Sequence, residues 1–114
     1  MRTIIAGSRD FDSYHEMVRL LPRHEISVVI SGKARGADRL GERWAISNGV
    51  PVEGYPAQWD LYGKSAGYRR NEEMARNAEQ LIAFWDGKSR GTKHMIDIAL
   101  RHNLRVTVYK KKGD

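Results

Sequence analysis

WDGKSRGTKHMIDIAL, Trp85 to Leu100, joins a strand end, a glycine-rich basic loop and the start of a helix in one continuous run. The apolar residues Leu81-Ile82-Ala83-Phe84-Trp85 read as a buried strand that stops at a carboxylate, Asp86. Gly87, Lys88, Ser89 and Arg90 form the loop, and Gly91-Thr92 opens an amphipathic helix. Such a loop offers free backbone N–H groups to an anion, because the first turn of a helix has donors without intrahelical acceptors. The pattern recurs upstream. Gly7-Ser8-Arg9-Asp10 follows the strand Thr3-Ile4-Ile5-Ala6, and Ser31-Gly32-Lys33-Ala34-Arg35-Gly36-Ala37-Asp38 follows Val28-Val29-Ile30. Three loops of this kind in one small chain point to a nucleotide-like anion.

Working outward, strand and helix patterns alternate along the whole chain. Tyr14, Met17, Val18 and Leu21 mark one face of a first helix, with Ser13 and Glu16 as a capping box and Pro22 at the exit. Ala37, Leu40, Gly41, Trp44 and Ala45 mark a second, stopped at Asn48-Gly49. Pro51 to Tyr55 is a weaker third strand. A third helix is expected from about Ala66 to Asn77, a fourth from Thr92 to about His102, and a last strand over Arg105 to Tyr109. This alternation predicts an α/β fold: a five-stranded parallel sheet with helices on both faces and all three glycine loops at the carboxyl edge. The domain is assigned to residues 1–109, and 110–114 to a basic, solubilising tail.

The chain of 114 residues is long enough for one core, and its apolar content of 40% suits a folded domain. No apolar run reaches the roughly 20 residues of a membrane span, and the first residues lack a signal-peptide pattern. Without cysteine there is no disulfide, thiolate metal site or Cys nucleophile, so a cytoplasmic location is expected. The net charge of +6 favours an anionic partner.

The ligand candidates come from the three loops: Gly7, Ser8, Arg9, Gly32, Arg35, Gly36, Gly87, Lys88, Ser89, Arg90, Gly91 and Thr92. Lys33 and Lys93 are further cations, although Lys93 also has Asp97 one helical turn away as a partner. A ten-residue connection, Pro56 to Ser65, is longer than the usual two to six or so, and it carries Trp59, Tyr62 and Lys64. Trp59 and the nearby Tyr68 either stack on a base or hold the loop together. Arg70 and Asn71 follow, and Asn71 shares the inward stripe of Gly67, Met74, Ala75 and Ala78. Its amide either ties down a loop carbonyl or meets the ligand. Asp10, Asp38, Asp60 and Asp86 are the acid/base candidates. Asp38 is accounted for by the helix dipole alone. Asp86, at a strand end, is the preferred catalytic residue. The four histidines are scattered, so no metal site is expected. No dinucleotide or Walker signature is present.

Gly7-Ser8-Arg9 with Phe11, SGKARGADRLGERWA, PAQWDLYGKSAGYRRNEEMA and LIAFWDGKSRGTKHMI together resemble the YspA-type, YpsA-related SLOG family over about Arg2 to Val108. That family is similar to the Lonely Guy phosphoribohydrolases and to the DNA-processing protein DprA. The resemblance implies a single Rossmann-like domain with strand order 3-2-1-4-5, and a pocket for a nucleotide or a nucleotide-derived ligand such as an NAD- or ADP-ribose-related signal. Lonely Guy enzymes carry Pro-Gly-Gly-x-Gly-Thr-x-x-Glu. Aligned on Gly91-Thr92, the first part becomes Gly87-Lys88-Ser89 and the Glu position is Met95. Tyr68 to Asn71 loosely matches the enzymes' Arg-containing helix start.

The expectation is therefore a sensor or sequestering protein for a nucleotide-type ligand, with no separate cofactor. Two alternatives stay open: an N-glycosidic hydrolase, with Asp86 or Asp10 in place of the missing Glu, and a single-stranded nucleic-acid binder of the DprA type. The expected partner is a small nucleotide-derived molecule. Nucleic acid ranks lower, no membrane is involved, and self-association is compatible with all three readings.

Overall fold

The computed structural model describes residues 1–110. Five strands run β1 (Arg2–Gly7), β2 (Val28–Ser31), β3 (Val52–Gly54), β4 (Gln80–Trp85) and β5 (Arg105–Lys110). The helices are α1 (Tyr14–Leu20), α2 (Ala37–Ser47), the short α3 (Trp59–Tyr62), α4 (Ala66–Arg76) and α5 (Arg90–Arg101). Short 3₁₀ turns cover Leu21–Arg23 and Gly63–Ser65. All the strand pairs are parallel, in the order β3-β2-β1-β4-β5. The chain belongs to the α/β class, with the strand order expected of a Rossmann-like domain.

Period-two alternation in the strands divides the core into two layers. Ile5, Val29, Ile82 and Phe84 point to one face, where Met17, Leu20 and Leu21 and, from α2, Trp44 and Ala45 cover them. Ile4, Ile30, Leu81 and Ala83 point to the other, beneath Met74 and Ala75 of α4 and Met95, Ile98 and Ala99 of α5. The central strands β1 and β4 are apolar on both faces because helices cover both, as a parallel sheet requires.

Local details depart from the pattern in places. The Ser13 side chain makes no capping bond; Glu16 instead pairs with Arg19 at 2.7 Å. Val18 is exposed and Leu20 is buried. The buried face of α1 runs through Met17, Leu20 and Leu21 at regular helical spacing, which leaves Val18 outside, and the helix then tightens into the 3₁₀ turn at Leu21–Arg23. The long connection after β3 is not bare loop, since it holds α3 and a 3₁₀ turn. Helix α5 begins at Arg90, with Ser89 as its N-cap, two residues before the expected start. β5 extends to Lys110, one residue into the segment read as tail; the remainder of that reading lies outside the described residues.

Candidate functional site

The chain leaves β1 towards β2 and β3, then returns on the opposite side at β4, so the topological switch point lies between β1 and β4. At the carboxyl end of these two strands is a cleft of about 260 Å³. Ala6 and Gly7 form its floor, Ser89, Gly91 and Thr92 one wall, and Tyr68, Arg70 and Asn71 of α4 another. Arg9, Trp59 and Lys64 also line it, as do Asp38, the carboxylate accounted for above by the helix dipole, and Met95, which stands at the Glu position of the Lonely Guy pattern.

The β4–α5 loop is built by one carboxylate. Asp86 Oδ1 accepts the N–H groups of Lys88 and Ser89, both at 2.8 Å, and the Asp86 N–H is anchored on Ser8 Oγ at 3.1 Å. The two backbone bonds hold the Asp86 carboxyl below the usual carboxylate range. Ser89 then caps α5: its Oγ lies 3.4 Å from Thr92 N and 3.0 Å from Thr92 Oγ1, and its carbonyl accepts from Trp85 Nε1 at 3.1 Å. The N–H groups of Lys88 and Ser89 are therefore already engaged. Those of Arg90 and Gly91, in the first turn of α5, have no intrahelical acceptor.

The β2–α2 loop is shaped by glycine. Gly36 has φ 76° and ψ −125°, and a Cβ there would run into the carbonyls of Ser8 and Arg9. The same Ser8 carbonyl accepts from Ala37 N at 3.3 Å and from Phe11 N at 3.1 Å. This locks the first glycine loop against the second. Ser8 is buried and serves as a brace between loops.

Asp38 is only 6% exposed yet forms no salt bridge among the described residues. Its Oδ2 accepts from Ala34 N at 3.2 Å. Burial pushes its pKa up to about 6, against the pull of the Ala34 N–H and the Arg70 charge. Arg70 donates Nη1 to the Gly32 carbonyl and Nε to Asn71 Oδ1 at 2.9 Å. That second bond orients the amide, so Asn71 Nδ2 must donate to His94 Nδ1, 3.1 Å away. His94 is consequently neutral with its proton on Nε2, in keeping with a pKa lowered by burial. Its ring packs on Tyr68 with centroids 4.3 Å apart.

The buried Asp38 carries a stability consequence. Its pKa rises from 3.8 to about 6, so between those values the folded chain keeps a proton that the unfolded chain has lost. Stability from this group therefore falls as pH rises through that window, by about 3 kcal/mol in all. Asp38→Asn is expected to raise stability at pH 7 by about 1–3 kcal/mol, or roughly 3–15 °C in Tm, with little gain at pH 4. Thermal unfolding of both proteins at the two pH values checks it; an equal gain at both would assign the effect to packing.

Of the residues expected at the site, the cleft brings together Gly7, Arg9, Trp59, Tyr68, Arg70, Asn71, Ser89, Gly91 and Thr92. Ser8, Gly32, Arg35, Gly36, Asp86, Gly87, Lys88 and Arg90 are not among the residues that line it. Arg35, Lys88 and Arg90 are exposed. Lys33 is held by Glu42 at 2.8 Å and Lys93 by Asp97 at 2.8 Å. Asp86, preferred as acid or base, is instead the brace of its own loop, and Asp10 and Asp60 lie outside the cleft. The carboxylate in the cleft is Asp38. Lys64 joins Arg9 and Arg70 as a lining cation. His94, passed over because the histidines are scattered in sequence, is reached through Asn71, 23 positions away.

Among the described residues no group of His, Cys, Asp or Glu could hold a metal ion, and no helix is long and apolar enough to cross a membrane. No solved structure matches the chain. The Gene 61 protein of Mycobacterium phage D29 is 40% identical over 87 residues, which cover 69% of this chain and 68% of that protein. The family model described as YspA, cpYpsA-related SLOG family matches residues 1–62, spanning the first two glycine loops and ending before the β4–α5 loop. With a model covering more than half its length and a relative at this identity, the chain belongs to the YspA, cpYpsA-related SLOG family.

Proposed function

We propose that the cleft binds a nucleotide or nucleotide-derived ligand and that the protein acts as its sensor or sequestering partner. One observation carries this reading. At the switch point, beside the open first turn of α5, three cations (Arg9, Lys64 and Arg70) face a single carboxylate, Asp38. Free N–H groups at a helix start, reinforced by guanidinium groups, are suited to a phosphate. The N–H groups of Arg90 and Gly91, and the one hydroxyl proton that the bond between Ser89 Oγ and Thr92 Oγ1 leaves free, supply the donors. Trp59 and Tyr68, each about half exposed at 53% and 52%, supply aromatic faces for a base. The volume of about 260 Å³ falls at the small end of ligand sites, which favours a mononucleotide over a dinucleotide.

Turnover has less support. N-glycosidic cleavage needs a carboxylate beside the ribose to stabilise developing positive charge, and in the Lonely Guy alignment that position is Met95, a cleft residue with no charge to offer. Wild-type protein is expected to bind AMP in a calorimetric titration and to leave it intact, with no free adenine on chromatography. Arg9→Ala should weaken binding about tenfold, since it removes one charge-assisted contact. Absence of binding to both AMP and ribose 5-phosphate would overturn the reading. Rapid adenine release would promote the hydrolase instead. Stronger, steeply salt-dependent binding to single-stranded DNA would favour the nucleic-acid alternative.

A further inference from the structure

Asp38 has no role in holding a phosphate. A carboxylate in an anion site repels the ligand, and here it is buried at an energetic cost without a salt bridge. It is also built in with care. The backbone of Gly32 lies so close that an added Cβ would come within 2.9 Å of Asp38 Oδ2 and 2.7 Å of Arg70 Nη1. A side chain at position 32 would displace the tips of both the carboxylate and the guanidinium from where they sit over the loop. The backbone N–H groups of Ala34 and Gly32 interact with the carboxyl, and Ala34 bonds Oδ2. A carboxylate offers about four lone-pair sites, so acceptor capacity is left over on a side chain that lines the cleft. A ligand group that satisfies it must be a donor.

The position of that donor follows from the side chains next to Asp38. Arg70 is the cation that acts on it, Arg70 bonds Asn71, and Asn71 Nδ2 lies 3.5 Å from the Gly91 carbonyl. Asp38 is thus separated from the first turn of α5 by two side chains. With a phosphate on that turn, the adjacent part of a nucleotide is the sugar, while the base extends towards Trp59 and Tyr68 at the opposite wall. Resting on the nucleotide reading above, we infer that Asp38 accepts the 2′,3′-diol of a ribose, which makes this a site for ribonucleotides that discriminates against deoxyribonucleotides. The physical basis is the asymmetry of buried hydrogen bonds: a ligand lacking the hydroxyl leaves the carboxylate desolvated and unpaired.

The experiment compares AMP, 2′-deoxy-AMP and 3′-deoxy-AMP by calorimetry at pH 7.5 on wild-type protein and on Asp38→Asn. Wild type is expected to bind AMP about ten- to a hundredfold more tightly than at least one of the deoxy compounds. In Asp38→Asn, whose fold is expected to be at least as stable, that ratio should fall to within about threefold. Equal binding of all three nucleotides to wild type would overturn the diol assignment and leave the nucleotide reading standing. Discrimination that survives intact in Asp38→Asn would overturn it too, by assigning the ribose contact elsewhere. Failure of wild type to bind any of the three would overturn both.

Discussion

Gly36→Ala is expected to cost about 2–6 kcal/mol of folding stability, enough to remove much of the margin of a domain this size. Two independent effects add at this position. The backbone at φ 76° and ψ −125° is a conformation that side-chain-bearing residues rarely adopt, worth about 1–3 kcal/mol. The new methyl also meets the carbonyls of Ser8 and Arg9, and overpacking costs about 1–3 kcal/mol. Those carbonyls belong to the loop after β1, so the strain spreads to the contact that fixes two glycine loops against each other. Gly49→Ala is the internal control. It has a similar φ of 68°, yet a Cβ there meets nothing within 4 Å. It should lose only about 1 kcal/mol, the backbone share. Urea unfolding of the three proteins separates the terms by their midpoints. A loss below about 1 kcal/mol in Gly36→Ala would mean that the loops rearrange freely.

Gly91→Val should have the opposite profile: an intact fold and lost binding. A Cβ at Gly91 meets no atom within 4 Å, and the residue lies in the first turn of α5, where a side chain is sterically free. Gly91 lines the cleft, however, so a branched side chain projects into the space where a phosphate would approach the free N–H groups. Stability should change by about 1 kcal/mol or less. AMP affinity should fall at least about a hundredfold, because both the helix-terminal donors and the adjacent hydroxyls become shielded. Gly91→Ala should show a smaller loss. Unchanged AMP affinity in Gly91→Val would remove the phosphate from the start of α5. The two glycine variants thus separate a loop needed for folding from a loop needed for binding.

Much of the fold follows from local pattern. The double-sided apolar runs Ile4-Ile5 and Leu81-Ile82-Ala83-Phe84 require a covered parallel strand, and the helical stripes between them supply the covers. The stripe read from Tyr14, Met17, Val18 and Leu21 is rotated from the buried face, Met17, Leu20 and Leu21, because both spacings fit one helix and only its packing against the core selects between them. The unseen α3 is four residues long, too short for any periodicity to register. At the site, the glycine loops, Arg9 and Asn71 are legible from spacing and stripe, and Arg70 from the family resemblance. A carboxylate in a first helical turn is already explained by the dipole, so nothing local distinguishes Asp38. Asp86 was preferred for its place at a strand end, but its carboxylate turns back on its own loop to accept from Lys88 and Ser89.

The α/β alternation, the two-faced core and the gathering of three glycine loops at one edge of the sheet are legible in the residues alone. Each of these follows from the repeat of strand or helix, which dictates where a side chain points relative to its own element. Which loop charges face the cleft depends instead on long-range packing. In a loop no repeat dictates direction, and a side chain takes the partner that folding brings to it. Ser8 meets Asp86 across 78 positions, and Arg70 meets the Gly32 carbonyl across 38. Local bonds to Lys88 and Ser89 make the Asp86 carboxylate a brace, while the long-range ones tie its loop to Ser8 and hold Arg70 against the Gly32 carbonyl, with Asp38 as the buried carboxylate of the cleft.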